Sequence, residues 1–189
     1  MTISPIHSPG FCASIEEAAL STSTYLSESG PFPWDLRVSR AALCRLGEFP
    51  ERAIFCDEEM MASVLVSHYG SLQGTSVISL EPRDALELIR STGFKTDPLG
   101  SFRRAGASVV QGMLQRLGSA GGFSIEFGAP SLEEGSLIET VLGTHAPRDT
   151  VVVSLELDFQ SEGQAFPAYL YLLLAPKVFD TTLGSSPHP

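Results

Sequence analysis

Residues Ser101–Leu117 read SFRRAGASVVQGMLQRL. Phe102, Ala105, Val109, Gly112, Met113 and the pair Arg116/Leu117 recur at three- and four-residue steps, which predicts a helix with one apolar face. Ala105, Gly106, Ala107 and Ser108 crowd its first turns with small side chains, so another backbone can approach closely there. Arg103, Arg104, Gln111 and Gln115 remain for the polar side. What that side offers separates an enzyme from a binding protein.

Beyond this helix, Gly118–Gly122 (GSAGG) is a stop. Phe123–Phe127 (FSIEF) alternates as a strand does. Leu132–Leu142 is read as a short helix after Pro130, with Glu133 and Glu134 in its favourable acidic start. Thr150–Phe159 (TVVVSLELDF) and Phe166–Leu174 (FPAYLYLLL) form a hairpin around Gln160–Gln164, and Lys177–Leu183 a short last helix.

The part before the helix repeats this order. Ser14–Ser27 reads as a helix with Ser14 and Glu17 as an S-x-x-E capping box. Its many serines and threonines weaken it. Trp34–Val38 (WDLRV) is an alternating strand. Arg40–Glu48 fits either a short helix or a strand with a turn, and Ala53–Cys56 a short strand. Met61–Tyr69 and Thr75–Leu80, joined by GSLQG, make an antiparallel hairpin. Pro82–Ser91 (PRDALELIRS) is an amphipathic helix with proline in its first turn, and Gly93–Gly100 is a linker. Trp34 aligns with Phe123 and Met61 with Thr150 at one offset of 89 residues. Two such halves cannot each close a core. The expected fold is therefore α+β: two pseudo-symmetric helix-strand-hairpin-helix halves (14–92 and 101–183) in one domain, sharing one antiparallel sheet with helices on one face. Residues 1–13 are expected as a flexible arm and 184–189 as a flexible tail.

The chain has 189 residues, 43% hydrophobic and 18% charged, enough for a sizeable core. Its net charge of -10, from 12 basic and 22 acidic residues, argues against nucleic acid and against an anionic membrane surface. The N-terminus has no secretory pattern and the longest apolar run, Ala168–Ala175, is too short to span a bilayer. Three widely spaced cysteines, Cys12, Cys44 and Cys56, suit reduced thiols. A cytoplasmic protein is expected. His7, His68, His145 and His188 show no metal spacing, and neither a metal nor a cofactor is expected. His68 is read as a strand residue with its tip in water. No phosphate-binding glycine loop or nucleophile elbow occurs.

This layout resembles the CheC/CheX family of chemotaxis phosphatases, best over Asp84–Phe179. The hairpin GSLQGTSVISL with the helix PRDALELI, and the strands VVVSLELDF and AYLYLLLAP, look like that family's two hairpins. Ser101–Leu117 looks like its second signature helix, which carries Glu-x-x-Asn followed about twenty-two residues later by proline. Here Arg104 and Ala107 take the glutamate and asparagine places, and Pro130 follows Ala107 by 23 positions.

The resemblance implies a partner: the phosphorylatable receiver domain of a response regulator, or another chemotaxis protein of a two-component system. In the family the asparagine amide orients water against an aspartyl phosphate and the glutamate anchors the regulator. Those two groups must stand three apart to project from one helix face. Arginine cannot replace the carboxylate, and alanine has no amide. In the first helix Glu16 precedes Ala19 and Glu17 precedes Leu20, so neither pair is complete. The expectation is a protein that docks on a receiver domain without the family's phosphatase activity, with Glu16, Glu17, Arg103, Arg104, Ala107 and Gln111 at the docking surface. One alternative is an active aspartyl-phosphate phosphatase that uses Gln111 as the amide, with Glu17 a weak second candidate. A further alternative is a homodimer joined edge to edge through Phe166–Leu174.

Overall fold

The computed structural model describes residues 9–28, 34–52, 60–92, 97–161 and 163–177. The elements are α1 (Pro9–Glu28), β1 (Asp35–Arg45), a 3-10 turn (Leu46–Glu48), α2 (Phe49–Arg52), β2 (Met60–Gly70), β3 (Gly74–Leu80), α3 (Pro82–Ser91), α4 (Pro98–Gly121), β4 (Ile125–Phe127), β5 (Ser131–Ser136), α5 (Leu137–Leu142), β6 (Val151–Ser161) and β7 (Gln164–Leu174). The fold is α+β. All seven strands join one antiparallel sheet in the order β1-β6-β7-β3-β2-β4, with β5 also on β2.

The two halves are interleaved. Each hairpin, β2–β3 or β6–β7, pairs at its outer edge with the first strand of the other half. The hairpins meet along β3 and β7 at the sheet centre. Exchanging the halves reverses the strand order and reproduces it. The element starts recur at nearly one offset: Pro9 and Pro98 (98 − 9 = 89), Asp35 and Ile125 (125 − 35 = 90), Met60 and Val151 (151 − 60 = 91). Even the irregularity repeats. The register of β1 on β6 slips at Ser39, and the equivalent place in the second half is the break Gly128–Pro130 between β4 and β5.

Alternation along the strands supplies two cores. Val64, Val66, Ile78, Leu155, Leu157, Leu170 and Leu172 face α1, α3 and α4. Met61, Val77, Val152, Tyr171 and Leu173 face the opposite way, where Leu46, Phe49, Leu137 and Val141 cover them. Helices therefore sit on both faces, the three long ones together and the short α2 and α5 opposite. A sheet this apolar on both sides requires it, since bare Val and Leu side chains lose about 1.5–3 kcal/mol each if left in water.

Several boundaries differ from the expectation. α1 begins at Pro9, five residues before the expected start at Ser14. Ser14 and Glu17 lie inside the helix, beyond its first turn, and not at its start. The hydroxyls of Thr22 and Thr24 donate to the carbonyls of Ala18 and Leu20, so the threonines are accommodated along the helix. Residues Arg40–Arg45 continue β1. The stretch expected as one helix from Leu132 is β5 followed by α5. Glu133 and Glu134 thus lie on a strand, opposite Ser63 and Ala62, because the open edge of β2 offers them a ladder. Phe166–Leu174 is no exposed edge: β6 lines it on one side and β3 on the other from Tyr169 to Leu174. An edge-to-edge dimer through that strand is therefore excluded. Ala53–Cys56, the last helix beyond Lys177 and the tail lie outside the described residues.

Candidate functional site

α4 starts where Asp97 accepts the backbone N–H of Gly100 at 2.9 Å and Pro98 takes the first turn. It runs 24 residues and stops at Gly122, whose left-handed conformation (φ 71°) suits glycine. Val109, Val110, Met113, Leu114 and Leu117 are buried against the sheet and α1. Arg103, Arg104, Gln115, Arg116 and Ser119 are exposed, with Ser108, Gln111 and Gly112 half-buried between them.

The small residues at the start have a definite task. A Cβ on Gly106 would meet Val64 Cγ2 at 2.9 Å and Ile78 Cγ2 at 3.0 Å, so this turn lies directly on the sheet. A Cβ on Gly112 would stand 2.8 Å from Thr22 Cγ2, so the Thr22 side chain of α1 packs directly on the α4 backbone there. The helix pair is therefore fixed closely at Thr22 and Gly112.

The residues expected at the docking surface divide. Glu16 and Glu17 are exposed on α1, and Arg103 and Arg104 on α4. Ala107 is 6% exposed and belongs to the core beneath the surface. Gln111 is half-buried at the middle of the outer face. The Arg104 guanidinium folds back on its own helix start, donating from Nη2 to Ser101 Oγ at 2.9 Å and placing Nη1 3.8 Å from Asp97 Oδ2. The 89-residue offset puts Ile15 and Ala18 at the corresponding places of α1, and both are buried. Neither helix presents a carboxylate and an amide three residues apart.

His68 is placed differently from its expectation. Its ring is buried, with Nδ1 bonded to the Leu72 carbonyl in the β2–β3 turn and Nε2 3.1 Å from Ser76 Oγ. A carbonyl accepts only, so Nδ1 carries the proton of the neutral ring and Nε2 accepts from Ser76. Burial lowers its pKa below the usual 6.5, partly offset by the bond to Leu72. His145 is exposed in the loop before β6. Among the described residues no group of three His, Cys, Asp or Glu side chains stands together as a metal site. No described helix is long and apolar enough to cross a membrane.

One feature escaped the reading of the sequence. Thr22 and Tyr25 of α1, Gly112, Gln115, Arg116 and Ser119 of α4, and Phe123 and Ile125 near β4 line a groove of about 350 Å³. The only signal for it was the alignment of Phe123 with Trp34.

No protein-family model and no curated protein matches the chain by sequence. Solved structures match it by fold. The FliY structure from Thermotoga maritima superposes with a TM-score of 0.69 at 15% identity, covering 96% of this chain and 100% of that one. The FliM middle domain from H. pylori gives 0.64 at 12%, covering 93% and 95%. CheX from Borrelia burgdorferi, solved with CheY, BeF3 and magnesium, gives 0.53 at 14%, covering 87% and 98%. The chain has the CheC/CheX-like fold that its layout resembles.

Proposed function

We propose that the chain is a cytoplasmic chemotaxis or two-component signalling protein that docks on a receiver domain or another chemotaxis protein, without phosphatase activity. One observation carries this reading. Where the fold's phosphatases keep a carboxylate and an amide, Arg104 is turned onto Asp97 and Ser101, and Ala107 is buried. The water-orienting amide is missing at that place, and a receiver-docking helix pair remains. Support comes from the neighbours: the Borrelia CheX was solved with CheY, and a FliM from H. pylori with FliG. The contact surface comprises Glu16, Glu17, Arg103, Arg104 and Gln111, above the buried Ala107.

A second reading rests on Gln111, whose half-exposed amide lies two turns from Arg104 on the outer face. There the amide orients water and Arg104 meets a phosphoryl oxygen. One assay separates the two. The protein is mixed with phosphorylated response regulators from its own genome, and both phosphate loss and binding are followed. Binding without faster phosphate loss is the expected result. Acceleration that Gln111→Ala abolishes overturns it in favour of the phosphatase, and failure to bind any receiver overturns receiver docking altogether.

A further inference from the structure

The groove beside Phe123 has a counterpart in the other half, and the two differ. At the 89-residue offset, Gly112, Gln115, Phe123 and Ile125 correspond to Ser23, Leu26, Trp34 and Leu36. In the first half those residues close the crevice. Leu26, Trp34 and Leu36 are all at most 3% exposed. The Trp34 ring meets Phe159 edge-on at 5.4 Å, and Ser23 Oγ accepts the Leu36 N–H at 3.0 Å. In the second half a glycine replaces the serine, a glutamine replaces the leucine, and Phe123 replaces the larger indole. Phe123 and Ile125 are left half-buried, and the groove stays open.

The lining also indicates the charge of whatever fits there. Arg116 is exposed and, among the described residues, is the only charged side chain of the lining. Among the described residues no carboxylate pairs with it. This is a cation beside two aromatic rings, Tyr25 and Phe123, on a protein of net charge -10.

We propose that this groove docks a segment of a partner protein that inserts an aromatic side chain flanked by carboxylates. The ring fills the space left open beside Phe123, against Tyr25 and Ile125, where aromatic pairs favour offset or edge-on contact. A flanking carboxylate takes the forked donors of Arg116. The receiver-docking surface reaches Gln111, one turn before Gln115, but includes neither Arg116 nor Phe123, so substitutions at those two residues test the groove by itself.

The test uses the full chain and three capped pentapeptides: tryptophan flanked by two acidic residues on each side, the same peptide with central alanine, and tryptophan flanked by lysines. Affinity is measured by calorimetry, and the contact is located by amide chemical shifts. Long-range electrostatics on so acidic a protein favours the lysine peptide. The proposal requires the reverse: the acidic tryptophan peptide binds at least tenfold tighter than either other, and shifts the amides of Gly112, Phe123 and Ile125. Arg116→Glu inverts the order of the charged peptides. Phe123→Trp combined with Gln115→Leu copies the closed half and abolishes binding. A preference for the lysine peptide, binding unaffected by central alanine, shifts confined to other surfaces, or no binding overturns the proposal. Receiver binding measured on Arg116→Glu stays unchanged; its loss overturns the separation of the two sites.

Discussion

Gly106 lies against Val64 so closely that a Cβ would stand 2.9 Å from the valine's Cγ2. Val64 is fully buried at the centre of β2, and Ile78 closes in from β3 at 3.0 Å. This contact sets the height of α4 above the sheet, and with it the position of Arg103, Arg104 and Gln111. Gly106→Ala gains about 1 kcal/mol of helix propensity but overpacks the core by about 1–3 kcal/mol. The expected net loss is up to about 2 kcal/mol in urea unfolding, and Gly106→Val loses more. Unchanged stability in both variants contradicts the packing described.

Asp97 serves α4 twice, as its cap and as the anchor of Arg104. Asp97→Ala removes a capping acceptor, with an expected loss of about 1 kcal/mol. Asp97→Asn keeps the cap and loses only an exposed ion pair, so its stability falls by less than about 1 kcal/mol. Thermal denaturation of the two variants separates the roles.

His68 gives stability a pH dependence of known sign. Its folded pKa is lowered by burial, so the unfolded chain binds the proton first as pH falls. The contribution is fully present above about pH 6.5 and is lost below it, by at most about 1.4 kcal/mol per pH unit. His68→Gln lacks that slope. Urea unfolding of both proteins between pH 7.5 and about 5 checks the difference, which removes the shared carboxylate contribution.

Trp34 is the only tryptophan and is 1% exposed. Trp34→Ala is expected to cost about 3–5 kcal/mol. In the unaltered protein its fluorescence reports burial directly, with emission moving to longer wavelength in a single transition on unfolding. An emission maximum already typical of exposed indole contradicts the closed crevice.

Because β1 pairs only with β6, and β3 has β7 on the side away from β2, the first half keeps only its β2–β3 hairpin when cut off. Residues 1–92 alone are expected to show no cooperative unfolding as a monomer. Adding residues 93–189 restores the transition, measured by far-ultraviolet circular dichroism.

The sequence by itself determined the parts whose local pattern is strong. The hairpin strands alternate over long runs, Pro82–Ser91 has its proline start and apolar stripe, and Ser101–Leu117 repeats at helical spacing. The offset of 89 residues between Trp34 and Phe123 exposed the repeat, and the resemblance to the CheC/CheX layout followed from that order. That Arg104 and Ala107 carry neither a carboxylate nor an amide was also legible, because it depends on residue type alone.

Only the tertiary structure decided the rest. Ser131–Ser136 became a strand although SLEEGS has no β-branched residue, since the unpaired edge of β2 supplies its hydrogen bonds. Phe166–Leu174 looked like a free edge, but the interleaving of the halves puts it at the sheet centre. His68 went inside because the hairpin turn folds Leu72 and Ser76 around its ring. The groove beside Arg116 arises from distant residues of α1, α4 and β4, and its openness is the difference between two crevices that only the fold superposes. Local pattern specifies which residues face inward; what they meet there is set by chain segments too far apart in sequence for any window to see.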